Sequence, residues 1–141
     1  MSRASLLRTV ALSALSGCVW AVIASFVGKD INGLEGGLYA SPVIGVIVGL
    51  LFQGFSRHSP LGRAILSLLG FYLAVTLFGL AIGITDFATG PQSGPGWSRK
   101  PVETVLQAII GSLWGVTFLG WVLLLWPLAY LNFLIVEREV T

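Results

Sequence analysis

The residues nearest to a reactive constellation are two acids and two bases: Asp86, Arg99, Lys100 and Glu103. A pair of carboxylates can hold a cation or divide the work of general acid and general base. All four flank the ends of apolar stretches, where charges ordinarily mark the boundary between lipid and water, and that structural reading is preferred. A second cluster, Arg57, His58 and Arg63, lies at another boundary. It suits contact with anionic lipid headgroups or pH sensing through His58, although a plain topology signal explains it as well. Gln53, Gln107 and Asn132 sit near segment ends, where an amide bonds a neighbouring helix or reaches the interface. Tyr72 and Thr76, one turn apart, are the most polar pair deep in a segment; a threonine there can satisfy itself on its own helix carbonyl.

The remaining inventory excludes more than it offers. His58 is the only histidine and Cys18 the only cysteine. A haem held by two histidines, a multi-histidine metal site and an intrachain disulfide are all ruled out within one chain. No cofactor or metal is expected, and no catalytic residue is nominated. A net charge of +2, scattered along the chain, gives no basis for binding nucleic acid. No ionisable group falls at membrane depth, where ion-coupled transporters usually carry one.

The elements that hold these residues are apolar. Residues 104–136 contain no charged side chain, a run longer than the roughly 20 apolar residues of one bilayer crossing. Hydrophobic residues make up 55% of the 141 and charged residues 10%, where a soluble domain carries about 25% charge; mean hydropathy is +0.90. The sequence predicts a single membrane domain over residues 1–141, an all-α bundle of four transmembrane helices at about 9–27, 38–55, 60–86 and 101–136.

Local signals set those boundaries. Leu15-Ser16-Gly17-Cys18 matches the pattern before a lipidated cysteine, but the chain stays apolar after Cys18, so a first transmembrane helix is expected instead. Ser41-Pro42 and Ser59-Pro60 each read as a cap followed by proline in the first turn. A start at Pro42 leaves helix two short for a bilayer, so either the helix begins earlier or it sits in a thin or protein-lined region. The turn between helices two and three is brief, which makes them an antiparallel hairpin. The loop before Pro101 is rich in glycine and proline, with Trp97 at the membrane surface. Helix four is long, and Pro127, which lacks the N–H owed to Leu123, is the expected kink.

Four crossings place both termini on one side. Arg3, Arg8, Arg57, Arg63 and Arg138 fall on that side, and Lys29, Arg99 and Lys100 on the other. The bias puts the termini in the cytoplasm, in what is expected to be a bacterial cytoplasmic (inner) membrane.

Small residues recur every fourth position: Ser13, Gly17, Ala21 and Ser25; Ser41, Gly45 and Gly49; Gly79 and Gly83; Gly111 and Gly115. In lipid such faces let backbones approach closely, and packing inside the bundle is the simplest use for them. The best candidate for an outward-facing groove is helix four, where Gly111 and Gly115 beside a Trp114–Trp121 ridge would hold a partner helix, a lipid tail or a pigment; tryptophans packed against lipid or the core are the preferred reading. The function expected is therefore a structural, assembly or regulatory subunit. Its partners are the lipid bilayer and other membrane protein subunits, or further copies of itself. A small oligomeric transporter or channel is the alternative, with helices broken around a path; a membrane enzyme using the 86–103 loop is a third reading.

Overall fold

The computed structural model describes residues 2–90 and 100–140. They form five α-helices and one 3-10 turn, and no strand occurs among the described residues. Arg99 and Trp97 lie outside them.

Helix α1 is Arg3–Val27, capped by Ser2, whose hydroxyl accepts from the Ser5 amide at 3.2 Å. It begins earlier than the apolar stretch because that cap is available. Cys18 lies in mid-helix on the exposed side. Helix α2 is Leu34–Leu51 and starts after Gly33, which takes the left-handed conformation at φ 79°. Ser41-Pro42 is thus not its start. Pro42 sits in the helix interior, and the Ser41 hydroxyl donates to the Gly37 carbonyl at 2.8 Å. The earlier start gives α2 about 27 Å of length, close to a bilayer core. The 3-10 turn Phe55–Arg57 leads to α3, Pro60–Thr89, where the Ser59 cap and Pro60 at the first position act as the sequence indicates.

The fourth segment is two helices. Helix α4 is Pro101–Phe118 and α5 is Trp121–Val140. The break between them falls at Gly120, with φ 76°, and not at Pro127, which lies inside α5. A residue at positive φ ends a helix outright, and glycine adopts it without steric cost. The missing N–H of Pro127 costs one bond but leaves helical φ in place.

Burial differs from that of a water-soluble protein. Ser67, Ser13, Thr9 and Ser41 are buried, while Leu123 is 76% and Leu119 75% exposed. Apolar side chains facing outward, with small hydroxyl residues between helices, is what a hydrocarbon solvent selects. Helices α1, α2, α3 and α5 are each long and apolar enough to cross a membrane. The protein is an integral membrane protein.

Neighbouring helices pack antiparallel through glycine. A Cβ at Gly17 would strike the Ser41 carbonyl and lie 2.8 Å from the Pro42 Cα. One at Gly45 would lie 3.0 Å from the Gly17 Cα, and Gly49 faces Ser13. Gly37 meets the Phe78 ring, which joins α2 to α3. Gly79 meets the Ile109 Cα at 2.9 Å and Gly83 the Val105 Cα at 2.7 Å, joining α3 to α4. Helix α5 then closes on α1 and α3 through Phe71, Leu125 and Ala129, with Trp20 and Ile23 packed beside them.

Candidate functional site

Gly111 and Gly115 differ from the other four-spaced glycines. Where Gly45, Gly49, Gly79 and Gly83 meet another helix, no atom lies within 4 Å of a Cβ built at Gly111 or Gly115. Both line a cavity of about 750 Å³ to which all five helices contribute. Helix α4 supplies Gly111, Ser112, Gly115 and Val116; α1 supplies Trp20, Ile23 and Ala24. Beyond the break, α5 takes over with Leu125, Ala129 and Asn132.

The cavity has two halves of different character. Its α4 half is walled by Gly111, Gly115, Val116 and Leu119, with Ser112 bonded to its own helix at the Ala108 carbonyl. Its α5 half runs towards the helix ends that hold Ser5, Gln53, Arg57 and Glu137. Arg57 and Glu137 are the only charged residues among the described lining, and both are at that end. Three hydrogen bonds frame the bundle. Ser16 donates to the Asn132 amide oxygen at 2.9 Å, tying α1 to α5. Tyr72 and Thr117 share a hydrogen bond of 2.9 Å, tying α3 to α4 just before the break. The Trp126 indole donates to Ser67 at 2.9 Å, tying α5 to α3. The Ser13 hydroxyl is buried without a partner among the described residues, and a Cβ at Gly49 would collide with it, so it points at α2.

No protein-family model, no curated protein and no solved structure matches this chain. Its chemistry is read from its own residues.

Trp114 and Trp121 do not form one ridge. The break at Gly120 intervenes: Trp114 is 59% exposed and stacks on Phe118 at 4.3 Å, while Trp121 packs beside the Phe71–Leu125–Ala129 cluster. The polar candidates also separate. Lys100 and Glu103 make a surface pair at 3.5 Å on the first turn of α4. Asp86 lies in the last turn of α3 against Gly33, whose Cβ would be 3.0 Å from its own. Among the described residues no group of three His, Cys, Asp or Glu could hold a metal. At the other end Arg57 joins the cavity rim, His58 is exposed beside Gly62, and the Arg63 Nε is buried without a hydrogen-bond partner among the described residues. Thr76 bonds the Tyr72 carbonyl at 2.8 Å, as a threonine inside a helix does.

The Ser16–Asn132 pair was not legible in advance, because 116 positions separate the two residues; the available signal is that an amide inside an apolar run needs a partner. Replacing Asn132 with Leu is expected to destabilise the bundle by about 1 kcal/mol, the usual worth of an interhelical hydrogen bond in a membrane. Thermal unfolding in detergent measures it, and Ser16→Ala should give a similar loss that does not add to the first.

Proposed function

We propose that the protein is a subunit that acts by helix–helix contact with another membrane protein, without catalytic chemistry of its own. The observation that carries this is the empty space over Gly111 and Gly115. A glycine pair on one helix face lets a second backbone approach, and in lipid that approach is a principal source of association. Among the described residues, the other four-spaced glycine pairs within helices are already occupied by its own helices. Helix α4 also carries Leu106, Ile110 and Trp114 on its outer side, all exposed, so it borders lipid beside the opening. A bacterial cytoplasmic membrane with both termini inside agrees with the arginine bias. Ser5 and Glu137 line the same cavity, which is consistent with the ends of α1 and α5 lying on one side.

Gly115→Leu tests the reading. The purified monomer is expected to melt within about 0.5 kcal/mol of the parent, as substitutions into open space do, while the assembly isolated from native membranes loses its partner. A destabilised monomer with an intact assembly would overturn the proposal. The second reading, a small oligomeric transporter or channel, draws on the same cavity, whose walls include Ser16, Ser41 and Ser112. Solute flux in liposomes holding only this chain would favour it.

A further inference from the structure

We infer that the α5 half of the cavity is a binding site for one phospholipid, with its phosphodiester at Arg57 and Gln53 and an acyl chain running inward beside Phe71 and Leu125. The inference goes beyond the partner contact, which uses the α4 half.

The first ground is volume. Protein interiors are packed like organic crystals, and an apolar void that stays dry is about 150 Å³. The whole cavity, of which the α5 half is one part, is about 750 Å³, and sites for small molecules span roughly 300–1,000 Å³.

The second ground is the distribution of polarity. Phe71, Leu125, Ala129 and Trp20 give the interior an apolar wall, interrupted by the small polar groups of Thr9, Ser13, Ser16 and Asn132. The charged residues of the described lining are Arg57 and Glu137, which lie near helix ends as Gln53 and Ser5 do. An occupant that matches this gradient has a polar head and a hydrocarbon chain. A partner helix does not fit this half, since α1 and α5 are bonded across it through Ser16 and Asn132, and a helix needs a passage about 10–12 Å wide.

The third ground is charge. The Arg57 guanidinium presents five planar donors, a geometry suited to phosphate. Among the described residues no ion pair or hydrogen bond engages it. Arg57 ends a 3-10 turn that follows Gly54 at φ 80°, which fixes where its side chain leaves the backbone. Glu137 on the same rim disfavours a head with several negative charges. It suits a phosphodiester, which carries a single one, with an amine or hydroxyl beyond it.

The test uses the full chain purified in detergent, without any partner protein. Native mass spectrometry during titration with phosphatidylethanolamine is expected to show one tightly held lipid per chain. Arg57→Gln should weaken it about tenfold or more, the worth of a charge-assisted contact, while Arg57→Lys retains most of the affinity. Diacylglycerol, which lacks the phosphate, should bind at least about tenfold more weakly, and inorganic phosphate alone should not bind. A phosphatidylethanolamine carrying a diazirine on its acyl chain should label the peptide holding Leu125 and Ala129 in preference to outward Leu106 and Ile110. A graded series of lipid adducts indifferent to Arg57, binding of phosphate without a lipid, or labelling confined to the outer surface would each overturn the inference. Because no partner is present, failure here leaves the contact role of α4 standing, and failure of that role leaves this site standing.

Discussion

Replacing Gly17 with Val is expected to abolish the folded bundle, whereas the same change at Gly111 leaves it intact. The residues share a type and a helical setting, and differ in what stands opposite. At Gly17 a Cβ enters the backbone of α2 at Ser41 and Pro42. Pro42 lies inside that helix, which is further bonded by Ser41 to Gly37, so neither side yields by rotating a side chain. Overpacking of a side-chain core costs about 1–3 kcal/mol, and backbone against backbone falls at or beyond the top of that range. Gly45→Val should do the same, since its Cβ would strike the Ser13 carbonyl and lie 3.0 Å from the Gly17 Cα. At Gly111 the added atoms enter open space, and Gly111→Ala should even stabilise the monomer by roughly 0.5–1 kcal/mol through the lower entropy cost of alanine in a helix. Size-exclusion profiles and melting temperatures in detergent report all four variants. Equal tolerance at 17 and 111 would contradict the packing described.

The second large effect is expected at the break between α4 and α5. Gly120 holds φ 76° and has nothing within 4 Å of a Cβ. Any loss on substitution therefore comes from the backbone alone. A left-handed residue other than glycine costs roughly 1–2 kcal/mol, and a β-branched one sits at the high end. Gly120→Val should accordingly lower stability by about 2 kcal/mol, or straighten the junction and pull α5 off Phe71 and Trp20. Pro127→Ala tests the rival site. It restores an N–H inside α5 and should stabilise the chain, by up to the roughly 3 kcal/mol that an interior proline costs, with the break unmoved. Fluorescence of Trp121, which lies at the junction, distinguishes a straightened helix from one merely weakened.

These two sites show what was legible in the sequence and what was not. Four apolar helices in an all-α bundle could be read directly, because a run such as 104–136 has no soluble explanation. The Ser59-Pro60 start of α3 was legible too, since cap and proline act within one turn. Ser41-Pro42 carries the same letters but lies inside α2, because the Gly33 turn had already begun the helix. Pro127 was the louder signal for a break, yet the break is at Gly120, since glycine is common in membrane helices and a sequence does not display φ. Four-residue spacing placed the glycines of each helix on one face but could not say what faced them. Gly45, Gly49, Gly79 and Gly83 turned out to be filled by neighbours, and only Gly111 and Gly115 were left open. The cavity was invisible for the same reason: it is bounded by residues as distant as Ser16 and Asn132.

In-cell photo-crosslinking tests directly whether the open face over Gly111 and Gly115 receives another protein. A photoreactive amino acid is placed at position 115, and in separate variants at lipid-facing positions 106 and 123, with expression at the native level. A docked partner should give a discrete protein adduct from position 115, reproducible in mass, and only lipid or diffuse adducts should form from 106 and 123. A correctly folded chain that yields no protein adduct from position 115, or yields them equally from all three, would contradict it.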